Sequence, residues 1–345
     1  MNMLTNHIHG RLRLLLSAAA LAAALLLALG CGSSEKPAAE GPVPLKVAYS
    51  PGVCNAAIFV AYENGYFTEE GLDVEMVQVD AAHISDAVGS GQVDAFQGMA
   101  AKLVQPLENG LPVKAVSGIH TGCQKVLVRG DSPIQSLSDL KGKTIGVPGL
   151  ADAGTILVKR ALHNEGIGVT DKDLEVEFRV FDRNDLPQAL EKGAVDAITA
   201  SDPVGPIMVQ QSGYRVLLDN AKDEPFAHEY CCLAFVTDKL AKENPKAAAS
   251  FVRAINRAAL WVQQHPREAA QLELDKKYVA GNIDLNTSLI ESYNYTPSVQ
   301  GGYDAIKNVA SELAYIGLIS PKTDAEKFAK AHTQRFEGVP DTPEQ

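Results

Sequence analysis

A short apolar stretch ending in turn residues occurs twice in this chain, each time opening the same run of elements. Lys46-Val-Ala-Tyr-Ser-Pro-Gly52 precedes a helical stretch over 56–64, and Thr144-Ile-Gly-Val-Pro-Gly149 precedes one over 153–164. Glycines at 65 and 166 stop these helices. Val74-Glu-Met-Val-Gln-Val-Asp80 and Val176-Glu-Phe-Arg-Val-Phe-Asp182 then alternate with the period of a strand. Helix-like stretches at 84–90 and 186–192 follow, and Gly91-Gln-Val-Asp-Ala95 and Gly193-Ala-Val-Asp-Ala197 close the copies. The last two pairs of strands are each offset by 102 residues. That period is too long for a solenoid. Two copies of β-α-β-α-β imply two Rossmann-like α/β lobes with mostly parallel sheets, and a cleft between them.

Ligands of open α/β sheets sit beyond the carboxyl ends of the strands. In the first lobe those ends are residues 50–55, 80–83, 97–99 and 120–123; in the second, 148–155, 182–184 and 201–204. The chain must cross between lobes twice. Residues 125–129 and 230–236 read as short apolar strands, so a two-stranded hinge is expected. Asn244-Pro245 then starts a helix, with Asn as N-cap and Pro at the first helical position. Its stripe of Phe251, Ile255, Ala258, Trp261 and Val262 reads as core, and His265-Pro266 ends it and begins the next helix.

The first thirty residues stand apart. Arg11 and Arg13 precede an unbroken run of Leu, Ala and one Ser over 14–29, then Gly30 and Cys31. This order reads as an export signal over 1–30. The run is sixteen residues, short of the ~20 needed to span a bilayer. Residues 31–44 are rich in Ser, Ala, Gly, Glu and Pro and read as a flexible tether. The expected lobes are then 45–127 plus 231–345, and 128–230. The net charge is -11, and removing 1–30 makes it 29 - 42 = -13. With no long basic run, nucleic acid is not an expected partner.

Leu27-Ala-Leu-Gly-Cys31 resembles a bacterial lipobox, which implies acylation of Cys31. Gly65-Tyr-Phe-Thr-Glu-Glu-Gly-Leu-Asp-Val74 resembles the first-lobe signature of the solute-binding proteins for nitrate, alkanesulfonates, taurine and thiamine-pyrimidine precursors. Leu137-Ser-Asp-Leu-Lys-Gly-Lys-Thr-Ile-Gly-Val147 resembles their second-lobe opening, and Gly193-Ala-Val-Asp-Ala197 their second-lobe strand. The resemblance runs from about Leu45 to about Ala270. It implies a type 2 periplasmic binding protein fold in a monomer anchored to the cell membrane, facing the periplasm or exterior. An ABC permease and ATPase would be its partners, with no cofactor.

The candidate ligand contacts are Cys54, Asn55, His83, Gln97, Met99, His120, Cys123, Asp152, Thr155, Ser201, Asp202, Cys231 and Cys232. Asp152 stands where a helix N-terminus would hold an anion, or it caps that helix. Its charge argues against a simple oxyanion, and no Arg or Lys is expected to face the ligand. The four cysteines beyond Cys31 all fall at cleft tips or crossings. Three readings stay open: two disulfides, small buried packing, or a soft-ligand site for a metal-containing or thiol-reactive solute. Strand alternation should let only one of Cys231 and Cys232 face the cleft. No G-x-S-x-G, H-E-x-x-H or P-loop occurs. A non-enzymatic binding protein is therefore expected. The alternatives are an enzyme on the same scaffold, related to thiamine-pyrimidine synthesis, in which His120 and Cys123 would be base and nucleophile, or a subunit that binds a partner protein.

Overall fold

The computed structural model describes residues 41–343, so the leader, Cys31 and most of the tether lie outside the described residues. In chain order the strands are β1 (Val43–Tyr49), β2 (Leu72–Gln78), β3 (Ala95–Met99), β4 (Val113–His120), β5 (Gln124–Val128), β6 (Thr144–Val147), β7 (Glu177–Val180), β8 (Ala197–Ser201), β9 (Arg215–Asp219) and β10 (Cys232–Thr237). They form two five-stranded sheets, ordered β2-β1-β3-β10-β4 and β7-β6-β8-β5-β9. In each sheet one strand opposes the rest. β10 is antiparallel to β3 and β4, and β5 to β8 and β9.

The sequence repeat is a structural repeat. β1 pairs in parallel with β2 and β3, as β6 does with β7 and β8, with Val47 opposite Ala95 and Ile145 opposite Ala197. The repeated aspartate of the Gly-x-Val-Asp-Ala motif has the same task in both copies. Asp94 Oδ2 accepts from Lys46 N–H at 2.9 Å, and Asp196 Oδ2 from Thr144 N–H at 2.8 Å. The Asp94 and Asp196 N–H groups return bonds of 2.8 Å to the carbonyls of Lys46 and Thr144. Each carboxylate satisfies a first-strand donor beside which the third strand has not yet begun.

The expected hinge strands belong to the sheets. β5 lies in the second sheet and β10 in the first, and they do not pair. The crossings are the irregular stretches 121–123 and 220–231. Each entering strand finds unpaired neighbours inside a sheet, which satisfies more backbone groups than a free ribbon would. The crossings still touch, with the Cys123 and Cys231 sulfurs 3.4 Å apart, and Cys231 N–H donates to the His120 carbonyl at the end of β4 at 3.0 Å.

The helix Pro245–Gln264 covers the first sheet. Asn244 caps it by accepting from Ala247 N–H at 3.1 Å. Phe251, Ile255, Ala258 and Val262 are fully buried, and Trp261 is half-buried against the same core. Burying each larger side chain contributes about 1.5–3 kcal/mol. Among the described residues no helix is long and apolar enough to cross a membrane.

The lobes also meet directly. Arg160, buried on the helix Ala153–Asn164, pairs with Glu229 at 2.7 Å and with Glu312 of the helix Val299–Tyr315. Tyr293, following the helix Ile283–Ser292, donates its hydroxyl to Asp202 Oδ2 at the end of β8, at 2.7 Å.

Candidate functional site

β10 enters the first sheet between β3 and β4 but runs against them, so its start meets their ends. Cys232 is registered opposite both Met99 and His120. A short 3-10 turn, Val53–Asn55, follows β1 and carries Cys54 to the same place. The crossing brings Cys123, held at φ 90, a conformation few residues other than glycine adopt. Five soft donors meet there in two triplets. The ligand atoms of Cys54, His120 and Cys232 lie within 4.8 Å of one another, as do those of Cys123, Cys231 and Cys232. Cys123 Sγ and Cys231 Sγ are 3.4 Å apart, and all four thiols are free.

Both members of the adjacent pair join the nest, against the alternation argument. β10 begins at Cys232, so Cys231 still belongs to the crossing, where side chains need not alternate.

His120 is fully buried. Its Nδ1–H donates to the Thr121 carbonyl at 2.6 Å, and Nε2 lies 2.9 Å from the Cys54 carbonyl. Burial works against charge on the ring, but hydrogen bonding and attraction from Cys54 prevail and its pKa is raised. The Cys54 thiol is pushed well down, chiefly by hydrogen bonding from Cys123 and then Cys232, with burial opposing. Cys231 is lowered by the same two neighbours. Cys123 is raised, first by its bond to Cys231. At Cys232 the Cys123 bond lowers the pKa, but Cys231 and Cys54 outweigh it and the thiol moves well up. The nest thus has two sulfurs that favour the thiolate and two that keep protons and donate them.

Two hollows flank the nest. Cys54, Asn55, Gln97, Met99, Lys102 and Cys232 are on the wall of one; Met99, Gln124, Arg160 and Cys231 are on the wall of the other. Gln97 Nε2 donates to the Cys54 carbonyl at 2.6 Å, while its buried Oε1 has no partner among the described residues. Gln124 Nε2 donates to Met99 Sδ at 3.3 Å.

Of the expected contacts, Cys54, Asn55, Gln97, Met99, Cys231 and Cys232 line these hollows, with His120 and Cys123 buried behind them. The others are placed or occupied differently. His83 is exposed and off both walls. Asp152 caps its helix by accepting from Gly154 N–H at 3.0 Å, and pairs with Arg183 at 3.0 Å. Thr155 donates its hydroxyl to the Gly149 carbonyl at 2.6 Å. Ser201 lies at the edge of hydrogen-bond range from Arg183, at 3.5 Å. Asp202 is buried against Lys125 at 2.7 Å, because a carboxylate removed from water needs a partner. Burial opposes charge on Lys125, yet Asp202 and Asp219 raise its pKa. Asp202 is itself pushed up by burial, which Lys125 offsets only in part.

The expectation that no cation faces the cleft is also corrected. Lys102 lines the first hollow and donates to the Ala81 carbonyl at 2.5 Å; burial lowers its pKa, with the Asp152 charge opposing. Arg183 pairs with Asp152 across the second-lobe tips. Arg183 falls within the tip at 182–184, so its signal was in the sequence. Tyr293 and Tyr295, whose rings lie 5.2 and 4.6 Å from the His120 ring, come from a distant segment with no local signal.

Two lobes, each an α/β sheet with one reversed strand, and a cleft at their crossings define the fold of the periplasmic binding proteins. The crystal structure of the periplasmic aliphatic sulphonate binding protein SsuA from Escherichia coli superposes with a TM-score of 0.69 at 17% identity, covering 83% of this chain and 97% of that one. Residues 54–269 match the family described as NMT1/THI5 like, and the chain belongs to that family. A Haemophilus influenzae protein named for thiamine biosynthesis is 30% identical, covering 67% of this chain and 72% of its own length. An Aspergillus parasiticus protein named 4-amino-5-hydroxymethyl-2-methylpyrimidine phosphate synthase is 26% identical, covering 69% of this chain and 71% of its own. That relative overturns the expectation that the chain is not an enzyme. One scaffold carries both binding proteins and synthases, and the absence of familiar catalytic motifs does not separate them.

Proposed function

We propose that the chain is an extracytoplasmic lipoprotein, acylated at Cys31, that takes up a small solute with a thiophilic centre and delivers it to an ABC importer. The lobes close on the solute about residues 121–123 and 220–231, the solute preferring the closed state. One observation carries this reading: five soft donors, four thiols and an imidazole, converge at the crossings between two hollows. Buried cysteines scattered for packing alone have no reason to meet there with a histidine. Solution scattering of solute-loaded and stripped protein tests the closure. The radius of gyration falls on binding; equal values, with the stripped form shown to be open, contradict it. Cys31→Ala should release the protein from the membrane fraction, and unchanged fractionation refutes the anchor.

A second reading has its own observation. Cys54, with a lowered pKa, sits beside His120, with a raised one, as in an activated nucleophile and its base. Together with the synthase relatives this favours chemistry on the bound molecule. Mass spectrometry of the solute before binding and after release separates the two: a delivery protein returns it unaltered.

A further inference from the structure

We infer that the nest is a two-ion site, in which the Cys232 thiolate bridges two soft monovalent metal ions of the Cu(I) type. This rests on the soft-ligand reading of the nest and specifies its occupant. The donors form two triplets, and Cys232 Sγ is the one atom common to both. Three ligands in a plane about an ion at the ~2.3 Å of a metal–thiolate bond stand about 4.0 Å apart. With the Cys123 and Cys231 sulfurs 3.4 Å apart and no two ligand atoms of a triplet more than 4.8 Å apart, the present spacings bracket that value.

The access is doubled as well. Cys54 and Cys232 open on one hollow and Cys231 on the other, so each triplet has its own approach. Met99, whose thioether is a further soft group, is on both walls. The donor types decide the class of ion. Thiolate, thioether and imidazole suit Cu(I), whereas hard cations require oxygen ligands. Structural zinc sites take four ligands, and each triplet supplies three. The Thr121 carbonyl takes the Nδ1 proton in a hydrogen bond, and Nε2, now 2.9 Å from the Cys54 carbonyl, becomes a ligand by giving up that contact and any proton it carries. Binding involves no electron transfer. Each ion arrives as Cu(I), and the thiols that become ligands lose their protons to solvent.

The test uses the reduced mature chain, stripped of metal and titrated with Cu(I) held in a coloured competing chelate. Bound ions are counted by native mass spectrometry. The wild type should take two ions per chain. Cys54→Ser and Cys123→Ser should each leave one, since each touches a single triplet. Cys232→Ser should weaken both ions by at least about tenfold, because it removes a donor from each. One ion in the wild type overturns the two-ion site while leaving the soft-ligand reading intact; none overturns both. Two ions indifferent to Cys232→Ser overturn the bridge. X-ray absorption on the loaded wild type needs no variant to fold. A short metal–metal distance is the expected result, and its absence refutes the shared thiolate.

Discussion

Glu273 is fully buried on the helix Pro266–Asp275, and neither carboxylate oxygen has a partner among the described residues. Burial pushes its pKa well above the carboxylate range, and the neighbouring Cys54 charge adds to the shift. A folded pKa above the unfolded value means that the contribution to stability is complete below the unfolded pKa, near 4.3, and drains as pH rises toward the folded pKa. While the buried carboxyl stays protonated, each pH unit costs about 1.4 kcal/mol. Glu273→Gln keeps the shape and removes the titration. It brings its own cost for a buried amide, about 1–3 kcal/mol, but that cost does not vary with pH. Urea unfolding of both proteins at steps from about pH 5 to about pH 8 gives the difference in stability. The difference, variant minus wild type, should rise with pH at a slope approaching 1.4 kcal/mol per unit. A flat difference would show that Glu273 titrates alike in both states and would refute the argument.

Tyr293→Phe should destabilise the protein by about 1–3 kcal/mol, because it strips a 2.7 Å hydrogen bond from the buried Asp202 carboxylate; denaturant unfolding measures this, and an unchanged midpoint contradicts the bridge between lobes. Iodoacetamide at about pH 7, more than a unit below the ordinary thiol pKa, should label Cys54 and Cys231 before Cys123 and Cys232. The first two have lowered pKa values and partial exposure, the others raised values and full burial. Peptide mapping showing the reverse order would contradict the division of protons within the nest.

The two-lobed architecture was legible because the repeat is written in apolar period and turn residues, both local signals. The role of Asp94 and Asp196 was not, although the motif was, because a carboxylate bonding a neighbouring strand's N–H leaves no trace in periodicity. The meeting of the cysteines followed from their positions at strand ends and crossings, because the start of the reversed β10 lies beside the ends of β3 and β4. Which of Cys231 and Cys232 would join turned on a strand boundary one residue away, the least legible feature of any strand. Asp152, Thr155 and Asp202 looked like ligand groups by position, but local capping and a buried ion pair occupy them. The tyrosines around His120, on the segment after the helix Ile283–Ser292, and Glu273, buried on the helix Pro266–Asp275, reach the nest only through tertiary packing. No pattern of a few residues encodes that approach.

If the thiol nest at the crossings is where this protein holds its solute, removing a nest cysteine must remove the solute. Native mass spectrometry reads this from the reduced protein, purified without dialysis alongside Cys54→Ser and Cys232→Ser. The wild type should carry a bound mass that is lost or sharply diminished in both variants, each shown to be folded by its circular dichroism. Wild type and variants with the same bound mass, whether loaded or bare, would contradict it.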